Sequence, residues 1–464
     1  MEVLLPRDVA YTLAKNIVDT EFDDLPTKAV DAAKKSIIDT LGVIVGASGT
    51  IPSLSGLVDL VKEAGGKPES TIIAFGGKVP AWMAAFANGA MAHCLDYDDY
   101  DWNSTYHPSS AVVPAGFAIA ERNRPINGKE FITAIALGQD LGIRLALAIP
   151  MERKPPWQRT AVLSIFASVA TVTKLLKLDE EKVVDAFGIA LCQSAGTLEL
   201  RKGVGTDIGG MYPAFPAKGG VLSALLAQRG VTGIKRCFEG KGGLFNVYFS
   251  RWDRETIISD LGSKFTGAHI SLKAWPSCAI SHVYIDATLS LVRENDIRPE
   301  DIHCIVVYVG DWAQGPCEPL PARQKPATIL DAKGSIPFCV AVAALRRNVV
   351  LDDFSSSALK DPKTLEMAEK VTPKFDGRLN IVTGAPPGVV EISTKGGGTF
   401  HKEVKHPYGH PENPITWEGV KDKFRDCARY AKNDLLKHNV EKVVELTLQL
   451  EHLGDVAEII EQLA

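Results

Sequence analysis

What this chain lacks narrows its function before any motif is read. No block of Lys and Arg stands out: 51 basic side chains face 56 acidic ones, for a net charge of −5. Nucleic acid as the main partner would call for a concentrated basic face, so none is expected. No apolar run reaches the roughly eighteen residues that cross a bilayer, and no membrane partner is expected. Met1-Glu-Val-Leu-Leu-Pro-Arg-Asp lacks the basic and long apolar regions of a secretory signal. The eight cysteines (94, 192, 237, 278, 304, 317, 339 and 427) contain no CxxC pair. That argues against a disulfide framework, a zinc site or an iron–sulfur site, and fits reduced thiols in a cytoplasmic protein.

With 464 residues, 45% hydrophobic and 23% charged, the chain reads as globular and too long for one simple core, so two domains are expected. From about residue 7 to 260 the pattern is helical. Residues 26–46 start at Pro26 and place Ala33, Ile37, Leu41 and Ile44 at helical spacing. Segments 80–95, 111–122, 129–149, 160–176, 180–196 and 216–229 are apolar, Ala-rich and long enough for further helices, several apolar nearly all round. After about residue 265 the pattern changes. Ile302-His-Cys-Ile-Val-Val-Tyr-Val and Val389-Val-Glu-Ile-Ser-Thr are β-branched runs of strand length, and Gly396-Gly-Gly reads as a hairpin turn. Helices over about 281–294, 335–346 and 363–371 punctuate the strands. A helical tail from Trp417 onward is expected to return to the first domain. The fold class is mainly α with a smaller α+β domain: a helical domain over 1–265 and 406–464, and the α+β domain over 266–405.

What is abundant is chemistry in one place. His93-Cys-Leu-Asp96-Tyr-Asp98-Asp99-Tyr100-Asp101-Trp-Asn-Ser-Thr-Tyr-His107-Pro-Ser-Ser crowds four carboxylates and two imidazoles among aromatic rings. A solvated acidic loop would lack the interleaved rings, and a plain core segment would not tolerate four Asp. Such neighbourhoods push pKa values apart and support proton transfer. Asp99-x-Asp101-x-Asn103 mimics the start of a calcium loop, but Ser104 and Ser110 stand where that loop needs Gly and Glu. General acid–base work by Asp96 and His107 is the favoured reading.

Two further stretches stand out. In Ser271-Leu-Lys273-Ala-Trp-Pro-Ser-Cys278-Ala-Ile-Ser-His282, Lys273 sits at the entry to the smaller domain, where a cation could clamp a substrate carboxylate between domains. Its alternative is a lysine that snorkels from apolar neighbours. A Cys278–His282 nucleophile is the weaker idea, since nothing in the sequence lowers the thiol pKa. Glu199-Leu-Arg201-Lys202-Gly-Val-Gly-Thr-Asp-Ile-Gly209-Gly-Met-Tyr212 is a Gly-rich loop with two cations that suits a carboxylate. Its glycine spacing is not a dinucleotide fingerprint.

These pieces, with Asp39-Thr-Leu-Gly, Asn88-Gly-Ala-Met-Ala-His93, His107-Pro-Ser-Ser-Ala-Val-Val-Pro-Ala, Gln193-Ser-Ala-Gly, Ala217-Lys-Gly-Gly-Val-Leu, Lys273-Ala-Trp-Pro-Ser-Cys and Gly409-His-Pro-Glu-Asn-Pro, resemble the MmgE/PrpD family from the first helix to the last. That family includes 2-methylcitrate dehydratase, cis-aconitate decarboxylase and iminodisuccinate epimerase. The resemblance implies a helical domain built from both chain ends, a lid-like α+β domain, a homodimer, an active site between the domains, and neither metal nor organic cofactor. It assigns Asp96, His107 and Lys273 as catalytic, the residues already selected by their chemistry. Four places depart from the family pattern: Tyr100 replaces Thr; Gln158-Arg159-Thr160 stands where relatives have His-Pro-Thr; Gly209 and Tyr212 fall near a Lys and a His; and Phe338 replaces Tyr. The losses remove one cationic clamp and two proton-carrying groups, which points to a diverged substrate.

The expected activity is that of a lyase acting on a small di- or tricarboxylate by proton transfer next to a carboxylate. Lys273 would bind that carboxylate, helped by Arg159 or Arg201, with His107 and Asp96 exchanging protons. Tyr100, Gln158, Arg159, Arg201, Lys202 and Tyr212 are the substrate-binding candidates. An epimerase or isomerase of a carboxylated substrate is the alternative, and an inactive carboxylate-binding homologue the third.

Overall fold

The computed structural model describes residues 7–151, 156–201, 206–380, 384–433 and 437–464. The first part is helical: α1 (Val9–Asp19), α2 (Thr27–Thr50), α3 (Ser53–Glu63), α4 (Ala81–Met91), α5 (Val112–Arg122), α6 (Gly128–Leu147), α7 (Arg159–Leu175), α8 (Glu180–Leu191), a single turn α9 (Ile208–Met211) and α10 (Ala214–Gln228). Their starts have local causes. Asn127 caps α6 by accepting from the Glu130 N–H at 3.0 Å, and Asp179 caps α8 by accepting from Lys182 at 3.0 Å. Each cap contributes about 1 kcal/mol. Pro26 sits just before α2, where its missing N–H costs nothing. A two-residue ribbon, β1 (Ser70–Thr71) against β2 (Lys78–Val79), lies between α3 and α4.

The chain's last helices complete this unit. Trp417–Ala428 lies on α2 at Gly42 and Gly46, where a Cβ would stand 3.3 Å from Phe424 and from Cys427. Phe424 and Cys427 share one core with Ile37, Leu41 and Ile44 of α2, joined by Val443 of Lys437–Leu448 and Ile460 of Ala457–Glu461. A fully buried side chain of this kind contributes about 1.5–3 kcal/mol. α4 packs on α5 and α10, and the site loop 92–111 runs between α4 and α5. Among the described residues no single helix is long and apolar enough to cross a membrane.

The α+β part is a sheet of β3 (Ile302–Val309), β4 (Val371–Phe375), β5 (Gly388–Thr394) and β6 (Thr399–Val404) in the order β4-β3-β5-β6. β3 runs parallel to β4 and antiparallel to β5, and β5 pairs antiparallel with β6 through the Gly396–Gly398 turn. Helices His282–Glu294 and Ile336–Arg346 share its core, where Val283, Val340 and Ile305 are buried. β4 was not legible as a strand because Val-Thr-Pro-Lys-Phe carries Pro373. A proline is tolerated here because β4 is an edge strand with no further partner needing its N–H.

Segment 271–278 joins the two parts. Tyr100 and Ser271 exchange backbone hydrogen bonds of 2.9 Å, and the Leu272 N–H donates to the Gly409 carbonyl at 3.1 Å. Gly409 has φ +97°, and a Cβ there would lie 1.9 Å from the Leu272 carbonyl oxygen. Only glycine meets both conditions.

Candidate active site

Loop 92–111 is built by its own side chains. Asp101 accepts the Ser104 N–H at 2.8 Å and also the Ser104 hydroxyl. Tyr106 is buried and meets Ser164 of α7 at 2.8 Å between hydroxyls. The next residue, His107, donates its backbone N–H to Thr160 Oγ1 at 3.2 Å. Gly210 lets α9 approach from the other side, since a Cβ there would lie 3.1 Å from Cys94 Cα.

The four carboxylates have four different environments. Asp96 faces the cavity and pairs with Lys273, whose Nζ lies 2.5 Å from its Oδ1. Burial pushes this carboxyl up, but Lys273 and the imidazoles of His93 and His107 more than offset that, and it lies below the ordinary value. Asp98 is fully buried between two histidines. Its oxygens lie 2.8 and 2.9 Å from His93 Nδ1 and 3.0 Å from His107 Nδ1. Burial raises it, and the imidazoles bring it well below its ordinary value. Asp101 is the loop cap, raised by burial against its Ser104 bonds.

Asp99 holds its proton more tightly than an ordinary carboxyl. Burial pushes it up to about 7, with Ser109 bonds pulling down and Asp39 and Asp98 adding to the rise. It accepts the Ser109 N–H at 3.1 Å and the Ser109 hydroxyl at 2.5 Å. A carboxyl whose folded value exceeds its ordinary 3.8 binds its proton more tightly folded than unfolded. Its stabilising contribution is full below about pH 4 and is lost as pH rises through about 7. Asp99→Asn is therefore expected to flatten the fall in thermal midpoint between about pH 5 and pH 8. Parallel melting curves for parent and variant would show that Asp99 is ionised throughout.

The histidines form an oriented pair. Their rings meet edge-to-face with centroids 4.5 Å apart, and His93 also meets Tyr212 at 4.8 Å. His107 Nδ1 faces Asp98 and, at 3.0 Å, the Asp99 carbonyl. Both are acceptors, so Nδ1 carries the hydrogen and Nε2 of the neutral ring is the free lone pair. Burial lowers the His107 pKa to about 4 despite the pull of Asp98, so the ring is neutral and basic in function near pH 7. The same logic puts the His93 hydrogen on Nδ1. The donor atoms of His93, Asp98 and His107 lie within 4.8 Å of one another, so these three would be the ligands of any cation bound here. Their 2.8–3.0 Å separations are those of hydrogen bonds.

A cavity of about 490 Å³ opens above the pair, lined by His93, Asp96, His107, Gln158, Tyr212 and, from the α+β part, Arg323. Gln158 caps α7 by accepting from the Thr160 N–H at 2.9 Å and donates to the Tyr212 hydroxyl at 3.2 Å. Tyr100 stands beside His107 with ring centroids 5.0 Å apart. Lys273 is buried beside Asp96, bonded to that carboxylate and its carbonyl with Asp98 3.9 Å away, and is not among the residues lining the cavity. Arg159 also lies away from the cavity. Its guanidinium donates to the carbonyls of Ala146, Pro150 and Ser104, binding the end of α6 to the site loop. These bonds join two segments of backbone, the end of α6 and the site loop. Arg201 closes the turn Leu198–Arg201; its side chain and Lys202 lie outside the described residues. Phe338 is buried against Phe354 in the α+β core rather than at the cavity. His282 is fixed under Trp275 with Nε2 3.3 Å from the Ser277 carbonyl, and burial pushes its pKa to about 3.

The residues not singled out from sequence are His93, Asp98 and Arg323. The first two stand in the acidic–His cluster, and that clustering was the available signal. Arg323 offered none.

A helical unit with an α+β cover over an Asp–His cluster is the architecture on which the comparisons with known proteins bear. The profile of the MmgE/PrpD N-terminal domain matches residues 11–256 and that of the MmgE/PrpD C-terminal domain residues 275–447. The chain belongs to the MmgE/PrpD family. Cis-aconitate decarboxylase of Aspergillus terreus is 26% identical over 95% of this chain and 93% of its own length. The human cis-aconitate decarboxylase is 24% identical, covering 97% and 94%. The mitochondrial 2-methylcitrate dehydratase of Yarrowia lipolytica is 22% identical, covering 95% and 87%.

Proposed function

We propose that this protein is a lyase that acts on a small di- or tricarboxylate by moving a proton at the carbon next to a carboxylate. The observation that carries this reading is the pair His93 and His107, both oriented by buried Asp98, facing a cavity shared with Asp96. Names of the relatives (a decarboxylase and a dehydratase of carboxylic acids) support the same class.

In a dehydration, His107 Nε2 takes the proton from carbon, and the electron pair of that C–H bond flows toward the carboxylate. The pair then forms the C=C bond as the neighbouring C–O bond breaks, and the leaving oxygen collects a proton from an imidazolium. In a decarboxylation the C–CO2 bond breaks instead, its electron pair stays on the carbon as CO2 departs, and the carbon takes a proton that solvent must first place on His107 Nε2. Both need a cation for the carboxylate. Among the described residues lining the cavity, Arg323 is the only Lys or Arg. Its Nε donates to the Glu318 carbonyl at 3.1 Å, which aims the guanidinium, a group suited to bidentate carboxylate binding. So few cations favour a second reading, an epimerase or isomerase that needs fewer clamps.

Incubation in D2O with citrate-like, aconitate-like and amino-dicarboxylate acids, followed by proton NMR, decides. New vinyl signals or loss of CO2 are expected. Deuterium entering recovered substrate with no new alkene would establish the second reading, and tight binding without turnover would leave a carboxylate-binding homologue.

A further inference from the structure

Three consecutive carbonyls of the site loop each accept a hydrogen bond from a different buried lysine. The Leu95 carbonyl takes Lys333 Nζ at 2.6 Å, the Asp96 carbonyl takes Lys273 at 3.0 Å, and the Tyr97 carbonyl takes Lys423 at 2.7 Å. The lysines come from three places: Lys333 from the one-turn helix Ile329–Lys333 of the α+β part, Lys273 from the joining segment, and Lys423 from the C-terminal helix Trp417–Ala428. All three are buried. The residue at the centre, Asp96, has φ +49°, the left-handed region that costs most L residues and that Asp tolerates better than most.

Lys423 and Lys273 have carboxylate partners in Asp39 and Asp96. Lys333 does not: among the described residues no carboxylate lies within ion-pair distance of its Nζ, which sits 5.6 Å from the Phe354 ring. Burial lowers its pKa to about 8. A buried ammonium without a counter-ion is a costly way to fill space that Met would fill freely. What the ammonium does that Met cannot is hold the Leu95 carbonyl across the boundary between the two parts of the molecule.

We propose that Lys333 and Lys423 are positioning residues that hold the Asp96 backbone in its left-handed conformation, and that Lys333 makes docking of the α+β part and alignment of Asp96 one event. This rests on the reading above that Asp96 serves the active site. Lys423 anchors the assembly, since its Nζ also meets Asp39 at 2.6 Å and the Lys273 carbonyl at 2.9 Å.

Hydrogen exchange of the full-length protein, read by mass spectrometry, tests the proposal without a substrate. The loop amides of Asp96, Tyr100 and Asp101 are hydrogen-bonded and report its order. In Lys333→Met, peptides spanning 94–101 are expected to exchange at least about tenfold faster, with Ile336–Arg346 within about twofold of the parent. Lys333→Arg retains a donor and is expected to stay within about threefold. Lys423→Met combined with Asp39→Leu removes that buried ion pair as a whole, which costs far less than breaking it, and is expected to give the same local loss, so the test stands even where Lys333→Met does not fold. With a substrate found in the D2O panel, kcat should fall at least about tenfold with KM within about twofold. Unchanged loop exchange in both Met variants overturns the proposal. So does a loss as large in Ile336–Arg346 as in the loop, which would make Lys333 a stability residue. A parent without turnover fails the proposed function instead, and the exchange result still decides the clamp.

Discussion

Replacing His107 with Gln is expected to lower turnover by about 10²–10⁴-fold with the far-UV circular dichroism unchanged. Gln fills a similar volume and can still donate toward Asp98, but it has no lone pair basic enough to take a proton from carbon. Asp98→Asn is expected to cost as much without touching either imidazole. Asp98 accepts from two Nδ1–H groups. An amide offers one accepting oxygen and one donating NH2, so one histidine must change tautomer and turn its lone pair away from the cavity. The pH profile gives the sign independently. In a dehydration His107 works as the neutral base, and burial holds its pKa near 4, so kcat should be flat near neutrality and fall as pH drops through about 4; a decarboxylation that draws its proton from the imidazolium should instead speed up as pH falls. A variant at His107 with turnover within a few-fold of the parent removes it from the mechanism.

Asp39→Ala has the largest expected effect on stability. Asp39 and Lys423 meet at 2.6 Å, both buried, between α2 and the C-terminal helix. Burial pushes the Asp39 carboxyl up and Lys423 draws it back. Removing the acid leaves a buried ammonium without its partner, a change that costs about 3–5 kcal/mol. For a unit of this size that lowers the thermal midpoint by on the order of 10 °C. Asp39→Asn, which retains an acceptor, should cost less. Melting within about 2 °C of the parent for Asp39→Ala would mean that the Tyr97 and Lys273 carbonyls alone satisfy Lys423.

The motif Asp39-Thr-Leu-Gly was legible only as a family mark; its role appears once Phe424 and Cys427 are seen over Gly42 and Gly46, with Lys423 beside Asp39. The same holds within the site. Clustering made the 93–107 segment conspicuous, and residue chemistry picked out Asp96, His107 and Lys273. It did not separate Asp96, which faces the cavity, from Asp98, which orients the histidines, because adjacent acids of one type differ only in what surrounds them. Arg159 shows the limit from the other side: nothing in the sequence around it says that its guanidinium donates to the carbonyls of Ser104, Ala146 and Pro150.

By itself, then, the order of residues determined the helices, the change to strands near residue 300, the family and the position of the acidic loop. These follow from periodicity, capping and turn chemistry, which act over a few residues. Tertiary structure alone decided which atom meets which: Asp98 between two imidazoles, Lys273 beside Asp96, Arg323 on the cavity wall and three lysines on three neighbouring carbonyls. Those pairings span up to 326 positions, from Tyr97 to Lys423. Spacing along a chain carries no information at that range, where packing and desolvation choose the partners.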